Sequence, residues 1–173
     1  MKSDPLLNPN DTAFHGAALI DSMQKISSEI VKENLLKIII QVLVELSTAH
    51  RVVFFSVRDG RLYLEAENFP GTNTCRIRNS LSVIMLSNDE REAYSLPVIE
   101  EVIRAREPMY MDGKEEPPSG LSKAETLCIP VIHDWGLSGV LYFEFHATGR
   151  LSNDLLEALF SIARQISISF RNA

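Results

Sequence analysis

The carboxy-terminal third of the chain places the strongest constraint on its fold. Residues 126–133 and 137–146 are rich in β-branched and aromatic side chains, and they flank the turn sequence Asp134-Trp135-Gly136. This pattern predicts two antiparallel strands joined by a hairpin. Ser152 then stands where a helix needs a cap, and Asp154 is placed to complement the N-terminal dipole of that helix. The last third is therefore expected to form a hairpin followed by a long amphipathic helix.

Composition limits the classes of protein that this chain can represent. A length of 173 residues with 45% hydrophobic content suits one globular domain. Lys and Arg total 17 against 23 Asp and Glu, so the net charge is -6 and no basic surface is expected to attract nucleic acid or a membrane. Apolar runs stop well short of the ~20 residues that span a bilayer, and the first residues lack a secretory signal pattern. We therefore expect a cytoplasmic protein.

The cysteines and histidines do not form a recognisable metal motif. Cys75 and Cys128 lack the CxxC spacing of zinc or redox sites, and two cysteines do not make a disulfide framework. The four histidines are far apart in the sequence, at His15, His50, His133 and His146. A single histidine in such a position is more often solvated or hydrogen-bonded than a ligand. No metal site is predicted.

The N-terminal part is predicted to contain a leader and two helices. Residues 1–14 hold two prolines and few apolar side chains, which indicates a flexible leader or linker before a domain over 15–173. An apolar seam of period four and three follows, at Leu19, Met23, Ile26 and Ile30. A second, largely buried helix is expected from a cap at Asn34 to about Ser47.

A second hairpin is predicted in the middle of the chain. Residues 51–57 and 61–67 are β-rich, and the Asp59-Gly60 dipeptide between them favours a tight turn. Strict alternation in the second strand predicts one buried face and one face in water. The buried set is Leu62, Leu64 and Ala66, and the set in water is Tyr63, Glu65 and Glu67.

The segment between the two hairpins carries weaker signals. Only a strand is predicted within residues 68–94, and a helix follows from Ser95 to a stop at Glu107-Pro108. Residues 108–112 are predicted to form a short strand. Residues 113–125 contain Pro117-Pro118 and are predicted to form a mobile loop.

The final helix has an apolar stripe like that of the first helix. The similarity predicts that the terminal helices pack together and against a second copy of the chain. The candidate interface of such a homodimer consists of Leu19, Met23, Ile26, Ile30, Leu159, Ile162, Ile166 and Phe170.

The order of these elements resembles that of a GAF domain. Five segments in suitable order and spacing carry the resemblance: residues 26–30, 98–108, 127–131, 139–144 and 167–173. The resemblance implies an α+β sandwich with a roughly six-stranded antiparallel sheet. The terminal helices would cover one face, and a helix and loops would enclose a small-molecule pocket on the other. The segments are most similar to the modules attached to sensor histidine kinases and related multi-domain signalling proteins. The resemblance therefore implies an excised module whose effector lies in a longer parent protein.

The resemblance also implies which residues line the pocket. Taken with the pattern of apolar side chains, it favours Cys75, Tyr94, Val98, Val102, Tyr110, Cys128, Phe143 and Phe145. Residues 113–125 would form its lid. The Asn-Lys pair of cyclic-nucleotide GAF domains and the chromophore-binding cysteine of photoreceptor GAF domains have no counterpart, so the resemblance identifies neither ligand nor cofactor.

Three functions follow as hypotheses. The first is a non-enzymatic regulatory domain that binds a small molecule and passes its state to an effector through the terminal helices. The second is a redox enzyme similar to free methionine sulfoxide reductases, which needs a reactive thiol and a resolving thiol. Cys75, beside Arg76 and Arg78, is the better reactive candidate, because Cys128 lies within an apolar strand. The third is a degenerate GAF domain that serves only to dimerise.

Overall fold

Helices and strands follow one another in the predicted order. The computed structural model describes residues 9–113, 125–134, 136–146 and 151–173, with side chains from Gly16 onward. The helices are α1 (Pro9–Ser28), α2 (Lys32–Ser47), α3 (Asn88–Glu92), α4 (Leu96–Ala105) and α5 (Asn153–Asn172). The strands are β1 (Arg51–Arg58), β2 (Arg61–Asn68), β3 (Cys75–Ser82), β4 (Met109–Met111), β5 (Glu125–His133) and β6 (Gly136–Phe145), and a single 3-10 turn covers Val83–Met85.

The described strands form one antiparallel sheet of six strands in the order β3-β2-β1-β6-β5-β4. Both predicted hairpins are present, as β1-β2 and β5-β6. The two hairpins meet at the centre, where β1 pairs with β6. The predicted α+β sandwich with a six-stranded antiparallel sheet is therefore confirmed.

One face of the sheet is covered by α1, α2 and α5, which we call the helix face. Buried side chains of the helices, such as Ile39 of α2 and Ile166 of α5, share a core there with side chains of the central strands, such as Phe54 and Leu141. The terminal helices also contact each other. Each helix thus uses its apolar stripe against the sheet and its neighbours, as amphipathic helices do.

The opposite face is covered by α4 and residues 83–95, and we call it the α4 face. Val53 and Phe55 of β1 belong to it, whereas their neighbours Val52 and Phe54 belong to the helix face. This alternation follows from the period of two in a strand. The sheet is consequently buried on both sides, which explains the near-continuous apolar run of β1.

Two elements between the hairpins differ from the sequence prediction. The strand β3 is present, but the 3-10 turn and α3 that follow it are additional. The Ser87 hydroxyl accepts from the Glu90 amide at 3.3 Å, and the Glu90 carboxylate accepts from the Ser87 amide at 3.1 Å. This is a capping box, so the Ser-x-x-Glu spacing was the signal that predicts α3.

The N-terminal boundary also differs. Helix α1 begins at Pro9, which lies within the predicted leader, and it ends at Ser28 before the last residue of the predicted seam, Ile30. The domain boundary near residue 14 stays a prediction. Most of the predicted lid, residues 114–124, lies outside the described residues. The same is true of Trp135, the central residue of the predicted β5-β6 turn.

Strand β2 contains a bulge that overturns the predicted alternation. Phe54 is opposite Ala66 and Phe55 is opposite Leu64, so Glu65 is an extra residue between them. A bulge of this kind changes which face each later side chain occupies. Leu64 therefore lies on the α4 face and Ala66 on the helix face. Glu65 and Glu67, predicted to lie in water, are only 0% and 4% exposed.

A glycine in β6 permits the close approach of the two hairpins. Gly139 is opposite Ser56 of β1. A Cβ atom at Gly139 would lie 2.2 Å from the carbonyl oxygen of Phe55 and 2.9 Å from Cε2 of Phe54. Both distances are shorter than non-bonded atoms tolerate, so any larger residue forces β6 away from β1.

We predict that Gly139→Ala lowers the free energy of unfolding by at least about 2 kcal/mol, because overpacking a rigid strand contact costs this much. Gly136→Ala, in the same strand, is the matched control, since its Cβ atom would meet only His133 O at 3.6 Å. Urea unfolding followed by circular dichroism measures both variants. Equal stability of the two variants would show that the β1-β6 contact is not as close as described.

Candidate functional site

Four of the eight predicted pocket residues come together on the α4 face. Tyr94, Val98 and Val102 lie beside Cys128 of β5 in one buried cluster. Helix α4 positions the two valines, and Tyr94 precedes that helix. These four residues therefore share one face of the sheet, and a role in binding a ligand stays a prediction.

The other four residues do not join them. Phe143 and Phe145 belong to the core of the helix face, and Cys75 packs against the same core. Alternation along β6 is the reason, because Tyr142 occupies the α4 face and its neighbours must point away. Tyr110, in the short edge strand β4, is 49% exposed. These four residues do not share a pocket with Tyr94.

The α4 face is filled with side chains. The ring of Tyr94 contacts Phe55 and Tyr142 edge to face, with centroids 5.4 and 6.4 Å apart. Burial, together with the negative charge of Glu144, raises the pKa of Tyr142 to about 12. Its hydroxyl donates to a Glu144 carboxylate oxygen at 3.3 Å. A molecule that enters this face must displace side chains, and the segment that carries Tyr94 is the cover it meets.

A buried carboxylate holds that cover in place. Glu67 accepts a hydrogen bond of 2.8 Å from the Tyr94 hydroxyl. It also pairs with Arg51 at 3.2 Å and with Arg78 at 3.3 Å. Burial raises the pKa of Tyr94 well above 10, and the negative charge of Glu67 adds to this effect. Tyr94 therefore stays a neutral donor to Glu67 at physiological pH.

Arg51 contacts Tyr94 as well as Glu67. Its guanidinium lies over the Tyr94 ring, 4.6 Å from the centroid, and donates to Ala93 O at 3.1 Å. Its Nε atom is buried and has no hydrogen-bond partner among the described residues. Such an atom is costly to bury, so it is available to an added acceptor. We refer to Arg51, Glu67, Arg78 and Tyr94 as the Glu67 cluster.

A second buried carboxylate lies on the other side of the same strand. Glu65 accepts from Ser56 Oγ at 2.6 Å and from Ser80 Oγ at 2.9 Å. The Lys32 ammonium at the start of α2 is 3.4 Å from Glu65 and lies 5.0 Å above the ring centroid of Phe170 in α5. Glu65 thus contacts the helix layer through Lys32. The sequence alone missed both clusters, because it predicted the two glutamates in water.

The predicted dimer residues are mostly used within one chain. Ile26 and the α5 residues Leu159, Ile162 and Ile166 are fully buried in the helix-face core. Leu19, Met23 and Phe170 are half-buried against that core. Only Ile30 of the eight is largely exposed, at 77%. Packing of the terminal helices on each other and on the sheet accounts for both apolar stripes.

The two thiols lie on opposite faces of the sheet. Cys75 packs toward the helix face and Cys128 toward the α4 face. Burial raises the pKa of Cys75 to about 11 and that of Cys128 to about 12. Neither environment favours a thiolate. Lys37 lowers the pKa of Cys75, but this effect is smaller than the effect of burial.

Two histidines that are distant in sequence are adjacent in the structure. The ring centroids of His50 and His146 are 3.7 Å apart at an interplanar angle of 66°. Pairing of the start of β1 with the end of β6 brings them together. Burial lowers the pKa of His50, and the neighbouring His146 lowers it further. His133 is elsewhere, in the β5-β6 turn, 3.2 Å from Asp134.

Membrane and metal signals are absent from the described part of the chain. None of its helices has the length and hydropathy needed to cross a bilayer. Within the same residues, no three His, Cys, Asp or Glu side chains converge in the manner of a metal centre.

Comparison with known proteins identifies the fold. No protein-family model matches the chain, and no curated protein is significantly similar to it. Among solved structures, the GAF domain of an Acinetobacter phosphoenolpyruvate-protein phosphotransferase superposes with a TM-score of 0.69 at 16% identity, over 92% of this chain and 94% of that chain. The chain therefore has the GAF-domain fold.

Proteins of two functional classes share this fold with the chain. The free methionine-R-sulfoxide reductase of Neisseria meningitidis, solved with its substrate, gives a TM-score of 0.67 at 15% identity, over 99% of this chain and 97% of that chain. The GAF domain of a two-component sensor histidine kinase from Bacillus halodurans gives 0.62 at 14% identity, over 83% and 96%. Identities this low establish the fold and leave the function to the residues of the site.

We predict that Glu67→Gln lowers the free energy of unfolding by about 3–5 kcal/mol, because it removes the counter-charge of the largely buried Arg51 and one of the two carboxylates paired with Arg78. Glu101→Gln is the control, since its partner Arg104 is exposed and such surface pairs contribute little. Chemical denaturation at constant ionic strength measures both. If the two variants are equally stable, the Glu67 cluster is not a buried ion pair.

We also predict that Cys75 reacts with iodoacetamide faster than Cys128 in the native protein, because it is the less buried thiol. The raised pKa of both thiols means that labelling is slow at pH 7 and accelerates as the pH rises toward 11. Peptide mass spectrometry of time points reports each rate. Equal, slow labelling of both cysteines would exclude Cys75 as a reactive thiol.

Proposed function

We propose that this chain is a non-enzymatic regulatory domain that binds a small molecule on its α4 face and passes the bound state to an effector. The observation that carries the proposal is the bulge in β2. It places Glu67 in the cover of the α4 face and Glu65 against the helix face, within one strand. A change on one face therefore has a short route to the other.

The proposed route begins at Tyr94. A ligand that takes the place of its ring breaks the hydrogen bond to Glu67 and competes for Arg51 or Arg78. The backbone of β2 then adjusts at the bulge, where pairing is already irregular. The change then reaches Lys32, whose ammonium group contacts Glu65. It also reaches Phe170, whose ring contacts the same ammonium group.

Such a ligand acts only by binding one arrangement better than the other. In one arrangement, the one described above, Tyr94 covers the face and its hydroxyl donates to Glu67. The ligand-bound arrangement has Tyr94 displaced and the ligand paired with the guanidinium groups. Guanidinium forks prefer carboxylate or phosphate groups, and the surrounding aromatic and aliphatic side chains suit a planar or apolar body.

The output is proposed to use the terminal helices α1 and α5, which contact each other on the helix face. A homodimer of the terminal helices remains part of this proposal. Because Ile26, Leu159, Ile162 and Ile166 are buried within one chain, its contact would use the outward sides of these helices, where Ile20 is 60% exposed and Phe160 38%. The attached effector, as in sensor kinases, and the cytoplasmic location are likewise proposals.

The redox alternative is less well supported by the positions of the thiols. A reductase of this kind needs a resolving thiol that reaches the sulfur of the attacking thiol. Cys75 and Cys128 are separated by the sheet, so they do not meet within one chain. Loss of any sulfoxide reductase activity in Cys75→Ser would still favour it.

The degenerate alternative is favoured by a different observation, the complete filling of the α4 face. Its buried side chains already supply a packed core there. A domain of this kind would keep its fold and its dimer contact and would bind nothing on that face.

We predict that the protein, isolated from its own cells and sprayed under native conditions, retains a small molecule. Arg78→Lys should lower the retained fraction severalfold, since lysine keeps the charge but lacks the fork geometry. Arg104→Lys, on the exposed side of α4, is the matched control and should retain the ligand.

The same ligand should change hydrogen exchange at Lys32 and in the last turns of α5, far from its site. A chain that is consistently empty would contradict the sensing proposal and favour the degenerate domain. A retained ligand that leaves hydrogen exchange in α5 unchanged would contradict only the proposed route through β2, and not the binding of a ligand.

A further inference from the structure

A cavity at one end of the sheet is separate from the α4 face. It has a volume of about 380 Å³. The end of α2, at Val44 and Thr48, forms one wall, and the β2-β3 loop at 71–73 forms another. Between them stand His50 and His146. The proposed sensing function does not use this cavity.

The backbone fixes His50 on three sides. Its amide donates to Glu144 O at 2.8 Å, and its carbonyl oxygen accepts from the Gly71 amide at 2.8 Å and from Asn68 Nδ2 at 3.1 Å. Gly71 has φ +77, and a Cβ atom there would lie 3.4 Å from His50 Cε1. The loop therefore packs against the imidazole at van der Waals distance, and the backbone of His50 is fixed by hydrogen bonds.

The two imidazole rings are close enough to share a ligand. With centroids 3.7 Å apart at 66°, the rings meet edge to face at the cavity wall. Two histidines on one metal ion each place a nitrogen about 2.0–2.1 Å from it, which separates the two ring centroids by roughly 4.5–5 Å. The rings of His50 and His146 are closer than this, so an ion would push them apart and turn one nitrogen of each ring toward itself.

The charges near His50 are mixed, since both Glu144 and Arg51 act on it, but part of the cavity wall favours a cation. The C-terminal end of α2 forms part of the wall, and the carbonyl groups at a helix C-terminus carry partial negative charge. The residues described as lining the cavity include neither lysine nor arginine. Thr48, Thr72 and Asn73 add oxygen atoms to the wall.

We propose that His50 and His146 form a binding site for a divalent transition-metal ion of the class that prefers imidazole, such as Zn²⁺, Ni²⁺ or Cu²⁺. Two imidazoles supply two ligands. Water or the wall oxygens complete the coordination, because no third His, Cys, Asp or Glu converges within the described residues. The site is open, so the metal exchanges with solution.

The test is a titration of the purified, metal-free protein with ZnCl₂ in an isothermal calorimeter. We expect one ion per chain in the wild type. Loss of even an outer-shell partner lowers metal affinity roughly 10–100-fold. His50→Gln and His146→Gln each remove a proposed direct ligand, so each should weaken binding by at least about tenfold. His133→Gln is the matched control and should bind as the wild type does. Excess Mg²⁺ should not compete, since it prefers oxygen ligands.

A second measurement protects the test against variants that fail to fold. In the wild type, Zn²⁺ should shift the imidazole nitrogen resonances of His50 and His146 and leave those of His133 unchanged. Absence of binding at millimolar Zn²⁺, shifts confined to other histidines, or equal weakening by His133→Gln would each overturn the proposal.

Discussion

The bulge in β2 is the constraint on which the rest of the structure depends. Without it, Glu65 and Glu67 would share one face, and two carboxylates would compete for the same partners. With it, each is buried on its own side and each must be neutralised there. Arg51 and Arg78 form ion pairs with Glu67. Ser56 and Ser80 donate hydrogen bonds to Glu65, and Lys32 forms an ion pair with it. Ser80 even adopts the unfavourable φ of 55° while donating to Glu65.

These partners come from elements that are distant in the sequence. Arg78 belongs to β3, Tyr94 to the segment before α4, and Lys32 to the start of α2. The two carboxylates thus fix the positions of covering elements on both faces, as buried polar networks do when every member is satisfied. The unpaired Nε of Arg51 is the one described exception within the Glu67 cluster, and it lies where the proposed ligand would arrive.

The sequence was sufficient for most of the elements, α3 and the 3-10 turn excepted, and insufficient for the pairings that cross the sheet. Both hairpins were predictable because Asp59-Gly60 and Asp134-Trp135-Gly136 are local signals, and Ser152 does cap α5. The bulge was not predictable, because alternation assumes an unbroken register. The contact of His50 with His146 was not predictable either, because it arises from the pairing of β1 with β6, which no local pattern specifies. The resemblance grouped Tyr94, Val98, Val102 and Cys128, which do share a face, with Phe143 and Phe145, which alternation along β6 places on the other face.

The apolar stripes of the terminal helices show why such a pattern does not choose its partner. A stripe reports that a helix has one buried side, and that side is the same whether it meets a sheet or a second chain. In this fold the sheet and the neighbouring helices take Ile26, Leu159, Ile162 and Ile166. Any dimer must therefore be built on residues beside the stripe, where Ile20 and Phe160 remain exposed, and on Ile30 beyond the end of α1. The same helices can then serve the core and the output at once, because they present different sides to each.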